Sequence, residues 1–408
     1  MRVLIIGGGA AGMAAALTAS EDGTREVVVL ERQARVGRKL LATGNGRCNL
    51  TNRNLNIANY HGENAAFCAA ALRRFSSEET ISWFRGLGLL TVTEDSGRVY
   101  PLSDSANSVV DVLRLALSQR KNVRLCTGCE VQALRRKKGK FFVSLPEKTL
   151  EGDCVIVCAG GCAGAKLGGT EMGYRLLESL GHHRTALFPA LVQLRTDTAL
   201  VRGLKGVRCD ASVRFRGEGM TAESCGEVQF TEYGVSGPAI FELSRAASVC
   251  GRGTLLLDLL RGSAEDALFD LLEERCRRTP NWEAGELLTG ILHNRLGKTI
   301  LKSCGLPFGE TCGSLDGQAL RRVCHMVKYF ALEVRGARGM DGAQVTAGGI
   351  RTAEFRPDTL ESRLCRGLYA AGEVLDIDGD CGGYNLQWAW ASGRLAGELR
   401  GTQDAANS

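Results

Sequence analysis

Several features that would place this chain in a specialised class are missing from its sequence. No segment reaches the ~18 uninterrupted apolar residues of a membrane-spanning helix, so we expect no membrane partner. The net charge is only +6 and no basic stripe is visible, so we expect no nucleic-acid partner. The five histidines form no H-x₃₋₅-H pair, and a single C-x-x-C has no counterpart at zinc-ribbon spacing. The sequence therefore predicts no metal site.

Cysteine, by contrast, is abundant, with sixteen residues in 408. The amino terminus superficially resembles a secretion signal, but the cluster Gly7–Gly9 with Gly12 would break the helix that a signal requires. We therefore expect a cytoplasmic protein whose cysteines are reduced thiols. The hydrophobic content of 44% and the charged content of 24% are those of a globular protein of two or three domains.

The most informative segment is the first strand and the turn that follows it. The apolar run Val3–Ile6 leads into G-x-G-x-x-G at Gly7, Gly9 and Gly12, and Glu31 closes the next apolar run. This is the fingerprint of a dinucleotide-binding βαβ unit, in which the helix N-terminus receives the pyrophosphate. The carboxylate of Glu31 would accept from ribose hydroxyls, which favours FAD or NAD over NADP.

The distribution of apolar runs predicts one domain inserted into another. Buried parallel strands are predicted at 3–6, 27–30, 123–126, 154–159 and 368–371. Because the last strand returns after some two hundred residues, the FAD-binding domain would comprise 1–188 and 341–408, with an inserted substrate domain at 189–340. Within the insert, 189–260 is predicted to be barrel-like, with a strand at 191–194, and 261–330 helical, with helices at 264–278 and 284–304.

Two loops carry a density of amides, hydroxyls and cations that a purely structural loop does not need. They span 38–52 and 372–390. The helix predicted to start near Asn385 would direct its N-terminus at a ligand that approaches Gly382 and Gly383. Such a terminus stabilises the negative charge of a reduced flavin by about 1 kcal/mol.

Five longer strings extend these observations: TGNGRCNLTN (43–52), GRVYPLSD (97–104), FTEYGVSGP (230–238), VTAGGI (345–350) and GLYAAGEVLDIDGDCGGYNLQWAWASG (367–393). In them the chain resembles, from end to end, a family of NAD(P)/FAD-dependent oxidoreductases that includes aminoacetone oxidase and a bile-acid 3-oxo-steroid double-bond reductase. The resemblance implies a glutathione-reductase-type FAD-binding Rossmann domain, an inserted β-barrel plus helical-bundle domain, and tightly bound FAD.

The resemblance and the fingerprint together predict a set of cofactor-binding residues. In it the first glycines surround the pyrophosphate, Glu31 and Arg32 lie at the adenosine, Val131 pairs with adenine, Glu373 takes the ribitol position, and Asn385 lies near the pyrimidine edge. The full set is Gly7, Gly9, Ala10, Ala11, Gly12, Glu31, Arg32, Lys39, Thr43, Gly44, Asn45, Gly46, Arg47, Cys48, Val131, Gly160, Gly372, Glu373, Gly383, Tyr384 and Asn385.

The catalytic residue is left open by the sequence. Many relatives in the resembling family have a histidine before the Tyr-Gly pair of FTEYGVSGP, where this chain has Glu232. Proton transfer would then fall to Glu232, Tyr233 or another group, and Cys48 and Cys381 are further candidates. No G-x-S-x-G and no Cys–His pair indicates covalent catalysis.

The leading hypothesis is therefore an FAD-dependent oxidoreductase that acts on a small organic or steroid-like substrate between the two domains. Because a second G-x-G-x-x-G is missing, NADH or NADPH would bind only transiently. A C=C reductase is favoured over an amine oxidase. A flavin-binding module or redox sensor without turnover, and an NAD-dependent dehydrogenase, are the alternatives, and the oligomeric state is left open.

Overall fold

The chain leaves its first unit at Phe188 and returns to it at Gln344, so a second unit, Pro189–Ala343, is inserted into the first. The computed structural model describes residues 1–306 and 308–403. Each unit contains its own cluster of buried apolar side chains. The elements of the first stretch are β1 (Arg2–Ile6), α1 (Ala10–Ala19), β2 (Glu26–Leu30), β3 (Thr51–Asn52), β4 (Tyr60–His61), α2 (Ala69–Arg74), α3 (Ser77–Gly86), β5 (Thr91–Thr93), β6 (Arg98–Pro101), α4 (Ala106–Ser118), β7 (Val123–Cys126), β8 (Ala133–Lys137), β9 (Lys140–Ser144), β10 (Thr149–Gly152), β11 (Cys154–Val157), α5 (Met172–Glu178) and β12 (Phe188–Ala190).

The inserted unit contains a closed antiparallel barrel followed by helices. Its elements are β13 (Leu194–Thr196), β14 (Arg208–Gly217), β15 (Met220–Phe230), β16 (Gly234–Ser236), α6 (Pro238–Cys250), β17 (Gly253–Asp258), α7 (Glu265–Arg278), α8 (Asn294–Ser303), α9 (Gly317–Lys328) and β18 (Phe330–Ala337). The barrel order is β13-β16-β15-β14-β17-β18. Inward positions such as Phe215, Phe230 and Leu255 are fully buried, which is the alternation that a filled small barrel requires.

The last stretch of the chain completes the first unit. It contains β19 (Val345–Ala347), β20 (Leu368–Ala370), β21 (Asp378–Gly379), α10 (Tyr384–Gly397) and α11 (Arg400–Gln403). Five parallel strands form the central sheet in the order β20-β11-β1-β2-β7. β1, β2, β11 and β20 are almost entirely buried, as expected of a parallel sheet covered by helices. The edge strand β7 is not, since Arg124 and Leu125 are exposed, so the prediction that 123–126 is a buried strand is wrong in its burial. The prediction of a Rossmann-type sheet with an inserted barrel and helices is confirmed.

Two local predictions in the inserted unit are wrong. The single helix predicted over 284–304 is a short 3₁₀ turn at Ala284–Glu286 and the separate helix α8, because Gly290 adopts a left-handed φ of +81° between them. The strand predicted at 191–194 begins only at Leu194, since Leu191 has a φ of +50°. The barrel-like stretch also contains α6, whose Pro238 occupies the first helical turn.

Among the described residues, none of the helices combines the length and the hydrophobicity of a membrane span.

Candidate functional site

The carboxyl ends of the parallel strands converge on one edge of the central sheet. Gly7 directly follows β1 and Glu31 directly follows β2, while Gly160 and Gly372 come two or three residues after the ends of β11 and β20. β1 lies between β11 and β2, so the direction in which the strands were added reverses beside it. Ligands of open α/β sheets bind at such a switch point, outside the carboxyl ends of the strands. The fold therefore brings these four predicted positions to one edge.

The glycines of this edge divide into crowded and open positions. A Cβ on Gly7 would lie 2.3 Å from the carbonyl oxygen of Cys158, and one on Gly12 would lie 1.8 Å from the carbonyl oxygen of Gly7. A Cβ on Gly9 or Gly160 would meet no atom within 4 Å. Crowding explains the first two glycines by packing alone. Gly160 has a left-handed φ of +72°, which by itself favours glycine, and the open side of both Gly9 and Gly160 leaves room for a bound group.

The turn presents unsatisfied amide groups to that open side. α1 begins after Gly9 without a side-chain cap, so the amides of its first turn, which includes Ala10 and Ala11, are free to bind an anion. The carboxylate of Glu31 accepts from the amide nitrogens of Gly8 and Gln33, at 2.7 Å each. These two bonds fix the carboxylate beside the turn.

The segment that contains Val131 is held against the end of β2. The amide of Cys129 donates to the carbonyl of Glu31 at 2.8 Å, and Val131 is buried two residues later. The guanidinium of Arg32 donates to the carbonyl of Gly168 at 3.2 Å. The three residues predicted to surround an adenosine, Glu31, Arg32 and Val131, thus belong to adjoining segments.

A partly buried ion pair joins two predicted site residues that are far apart in sequence. Nζ of Lys39 lies 2.7 Å from Oε2 of Glu373, and their side chains are 32% and 20% exposed. Oε1 of Glu373 accepts from the amide of Thr346 at 2.9 Å. The ammonium group balances a carboxylate that would otherwise repel phosphate at this edge of the sheet.

The loop from Thr43 to Cys48 is folded tightly through left-handed conformations. Gly44, Asn45, Gly46 and Cys48 all have positive φ, and the amide of Cys48 donates to the carbonyl of Thr43 at 3.0 Å. Cys48 is fully buried, and burial raises the pKa of its thiol to about 12. A thiol that remains protonated at neutral pH is unsuited to redox chemistry.

Arg47 points to a different set of partners from the one predicted. Its guanidinium forms ion pairs with Asp104 and with Glu94, the latter at 3.0 Å, and stacks 3.9 Å from the ring centroid of Tyr100. These contacts hold the loop onto the β5–β6 region. Its placement among the cofactor-binding residues remains a prediction.

The start of α10 adjoins this loop closely. Gly383, with a φ of +99°, precedes Tyr384, and a Cβ there would lie 2.6 Å from the carbonyl oxygen of Thr51 and 2.8 Å from Oδ1 of Asn49. Nδ2 of Asn52 donates to the carbonyl of Gly382 at 2.9 Å. The two polar loops predicted from the sequence are therefore in contact.

Small residues bring α10 against α1. A Cβ on Gly393 would lie 2.3 Å from the carbonyl oxygen of Ala11, and one on Gly397 would lie 2.5 Å from that of Ala15. The indole of Trp388 donates to the carbonyl of Gly372 at 3.2 Å. Close helix packing thus places both glycine-rich regions of the first unit in one structural block.

Three residues of this region were not predicted as site residues. Oδ1 of Asn49 is buried without a hydrogen-bond partner. Arg98 lies at the start of β6, with Nε 3.5 Å from a Cβ placed on Gly382, and it has no ion-pair partner in residues 1–306 and 308–403. Nε2 of His61 forms a hydrogen bond of 2.7 Å with Oδ1 of Asp380. Asn49 and Arg98 lie in strings that carry the family resemblance, whereas His61 had no sequence signal.

The four candidate catalytic residues are divided between the two units. Glu232 is exposed and lies 2.8 Å from Nζ of Lys205, which lowers the pKa of the Glu232 carboxyl. The hydroxyl of Tyr233 accepts from Nη1 of Arg338 at 2.7 Å. Both belong to the inserted unit, whereas Cys48 and Cys381 belong to the first.

Three observations fit an extended FAD in the first unit. The open sides of Gly9 and Gly160 and the uncapped start of α1 suit a pyrophosphate, and the unpartnered Oδ1 of Asn49 can accept from an imide N–H at the other end. The fixed carboxylate of Glu31 retains lone pairs for ribose hydroxyls. The residues present are therefore suited to the group.

Comparisons with known proteins agree with this geometry. The model of the HI0933-like protein Rossmann domain matches residues 1–399. A 3-dehydro-bile acid delta(4,6)-reductase of Clostridium scindens is 39% identical over 402 residues, which cover 97% of this chain and 98% of that relative. A ribosomal RNA dihydrouridine synthase of Escherichia coli K12 is 29% identical over 392 residues, with 95% of each chain covered. A solved quinol-fumarate reductase with menaquinol shares the fold at 14% identity and a TM-score of 0.50, covering all of this chain and 72% of its own.

Proposed function

The chain belongs to the HI0933-like Rossmann-domain family and is an FAD-dependent oxidoreductase, and from that premise we propose that it saturates a carbon–carbon double bond conjugated to a carbonyl group. The substrate is a small organic molecule of steroid-like character, the electrons come from NADH or NADPH, and the protein acts in the cytoplasm. The observation that carries the proposal is the 39% identity, over almost the whole of both chains, with a delta(4,6)-reductase of a 3-dehydro bile acid.

The two named relatives suggest a common chemistry. A 3-dehydro steroid with a delta-4 double bond is an enone, and dihydrouridine differs from uridine by saturation of a ring double bond beside a carbonyl. In both substrates the carbonyl accepts the electron density that a hydride displaces. FAD, when bound, supplies the hydride for such a reduction.

In this proposal each group of predicted cofactor-binding residues binds a different part of FAD. The amides around Gly9, Ala10 and Ala11 hold the pyrophosphate, and Lys39 balances Glu373 beside it. Glu31 and the Val131 segment hold the adenosine end. Gly372 and the loop from Thr43 to Cys48 line the path to the α10 N-terminus, where Gly383, Tyr384 and Asn385 meet the ring. The dipole of α10 would then favour negative charge at that end.

A second candidate substrate is a uridine in ribosomal RNA, and the relative from Escherichia coli favours it. Phosphate contacts dominate RNA affinity and require a surplus of clustered cations. The inserted unit, residues 189–343, carries 20 Lys and Arg against 19 Asp and Glu, so it contributes almost no net positive charge. The charge balance and the higher identity both favour the small-molecule substrate.

The test uses the purified holoprotein under anaerobic conditions. We expect a yellow protein with one FAD per chain, whose visible absorbance bleaches on titration with NADH or NADPH. The reduced protein is then mixed in turn with a 3-oxo-4-ene steroid and with ribosomal RNA transcribed in vitro. The oxidised protein is mixed separately with aminoacetone, whose oxidation would bleach the flavin, and oxygen is admitted last. The steroid should restore the absorbance fastest and yield the saturated ketone. Reoxidation by the RNA alone would support the second candidate, and reoxidation by none of them faster than by solvent leakage would overturn the proposal of a reductase.

A further inference from the structure

A histidine–aspartate pair lies beside the glycine loop at the start of α10. β4 pairs with β21 in antiparallel register, with His61 opposite Asp378 and Tyr60 opposite Gly379. This ladder brings Nε2 of His61 to 2.7 Å from Oδ1 of Asp380, across 319 residues of sequence. The other ring nitrogen of His61, Nδ1, has no partner among the described residues, and the side chain is 35% exposed. The ring is therefore anchored through Nε2, and its side chain is partly exposed.

Asp380 is itself held rigidly. Its Oδ2 accepts from Nδ2 of Asn59 at 3.0 Å, and its amide donates to the carbonyl of Asn59 at 2.9 Å. The side chain of Asn385 bonds both polar backbone groups of Gly379, at 2.8 Å and 2.7 Å, and reaches the carbonyl of Asp380 at 3.3 Å. The aspartate that orients His61 is thus part of the same turn that leads through Gly383 into α10.

We propose that His61, positioned by Asp380, donates the proton that completes the reduction of the conjugated double bond. This inference rests on the proposed function. A hydride adds to the β-carbon of the enone and its electron pair displaces the C=C π pair towards the carbonyl, giving an enolate. The α-carbon then takes the proton from Nδ1 of the imidazolium, which becomes neutral imidazole and is reprotonated from solvent. The hydride, which carries two electrons and one proton, originates from NAD(P)H through the cofactor, and the second proton, from His61, completes the saturated ketone.

Two of the four candidate residues from the sequence are poorly suited to this step. The thiol of Cys48 is fully buried, and burial raises its pKa to about 12. Lys205 lowers the pKa of the Glu232 carboxyl, so that carboxyl is ionised at neutral pH and has no proton to give. An imidazole accessible at one nitrogen and anchored by a carboxylate at the other is the usual arrangement of a general acid.

The first test locates His61 relative to the substrate without turnover. The oxidised holoprotein is treated with diethyl pyrocarbonate, and modification of each histidine is measured by mass spectrometry with and without a 3-oxo-4-ene steroid. His183 and His325, whose side chains are 71% and 67% exposed, are internal controls. We expect the steroid to protect His61 and neither control. Equal modification of His61 with steroid bound, as shown by a shift in the visible spectrum, would overturn the inference and leave the proposed function intact. A steroid that neither shifts the spectrum nor reoxidises the reduced protein would overturn both.

The second test separates the half-reactions in variants. In His61→Gln we expect the reoxidation rate with steroid to fall by about 100-fold, the usual contribution of a general acid, while the rate of reduction by NAD(P)H stays within twofold. Asp380→Asn, which leaves the imidazole in place but removes its anchoring charge, should lose less, about tenfold. His325→Gln, in the inserted unit, is the matched control and should match the parent in both rates. An equal loss in both half-reactions, or none, would contradict a role in proton donation.

Discussion

Substitution by alanine should lower the stability of the protein at Gly12 but leave it unchanged at Gly9, although both glycines belong to the same turn. In Gly12→Ala the new methyl group would lie 1.8 Å from the carbonyl oxygen of Gly7, so helix α1 must move by at least about 1 Å to relieve the contact. Overpacking of this kind costs about 1–3 kcal/mol, and more where the obstructing atom belongs to the backbone. In Gly9→Ala the methyl group meets no protein atom, and φ of −80° is permitted for alanine. We therefore expect Gly9→Ala to retain the apoprotein's free energy of unfolding.

Although its stability should be unchanged, Gly9→Ala should bind FAD more weakly. The methyl group would occupy the space in which we propose that the pyrophosphate lies, and loss of one or more hydrogen bonds to a charged phosphate costs about 1.5–3 kcal/mol each. That loss corresponds to about a 10- to 100-fold weaker Kd. Denaturant unfolding of the apoproteins and fluorescence titration with FAD measure the two effects, and Gly23→Ala, also in open space, is the control. An unchanged Kd in Gly9→Ala, or an unchanged unfolding midpoint in Gly12→Ala, would refute this reasoning.

Three further changes test the rest of the first unit. Lys39→Met should weaken FAD binding by roughly tenfold, because it leaves the carboxylate of Glu373 without a balancing charge. The double variant Lys39→Met with Glu373→Gln should recover part of the affinity in the same titration. No recovery would contradict the proposed role of this ion pair. Burial raises the pKa of the Cys48 thiol to about 12, so this thiol should resist alkylation in the native protein at pH 8, whereas exposed Cys225 should react. Because the thiol ionises at a lower pH in the unfolded chain, the free energy of unfolding should fall progressively above about pH 9. Denaturant titrations should show a smaller decline in Cys48→Ala. Gly393→Ala should lower the unfolding free energy by about 1–3 kcal/mol and release FAD, because its methyl group would lie 2.3 Å from a backbone oxygen of α1; unchanged cofactor content would argue against the role of this helix contact.

The parallel strands were predictable because their signal is local and strong. Short runs of Val, Ile and Leu are typical of strands in a parallel sheet, and four of the five predicted bounds agree with the structure to within one residue, although the edge strand β7 is largely exposed. The stretch 284–304 misled because apolar residues at helical spacing continue through Gly290. A single left-handed glycine, which periodicity does not register, ends that pattern.

The candidate site was only partly visible in the sequence. The concentration of amide, hydroxyl and cationic side chains indicated the loops at 38–52 and 372–390, and the structure shows a hydrogen bond between them, from Asn52 to Gly382. His61 carried no such signal, since a single histidine in a short polar segment is unremarkable without its neighbour. Only the β4–β21 ladder reveals that Asp380 orients it.

The sequence by itself determined the turn at Gly7–Gly12 and the strand runs, because each depends on residues within a few positions of one another. The tertiary structure alone decided which distant groups meet. Lys39 pairs with Glu373 across 334 residues and His61 with Asp380 across 319, and the packing of α10 on α1 sets both loops beside the sheet edge. Such pairings follow from how the whole sheet and its helices pack, and the cost of closing so long a loop rises so slowly with length that spacing along the chain carries almost no information about them.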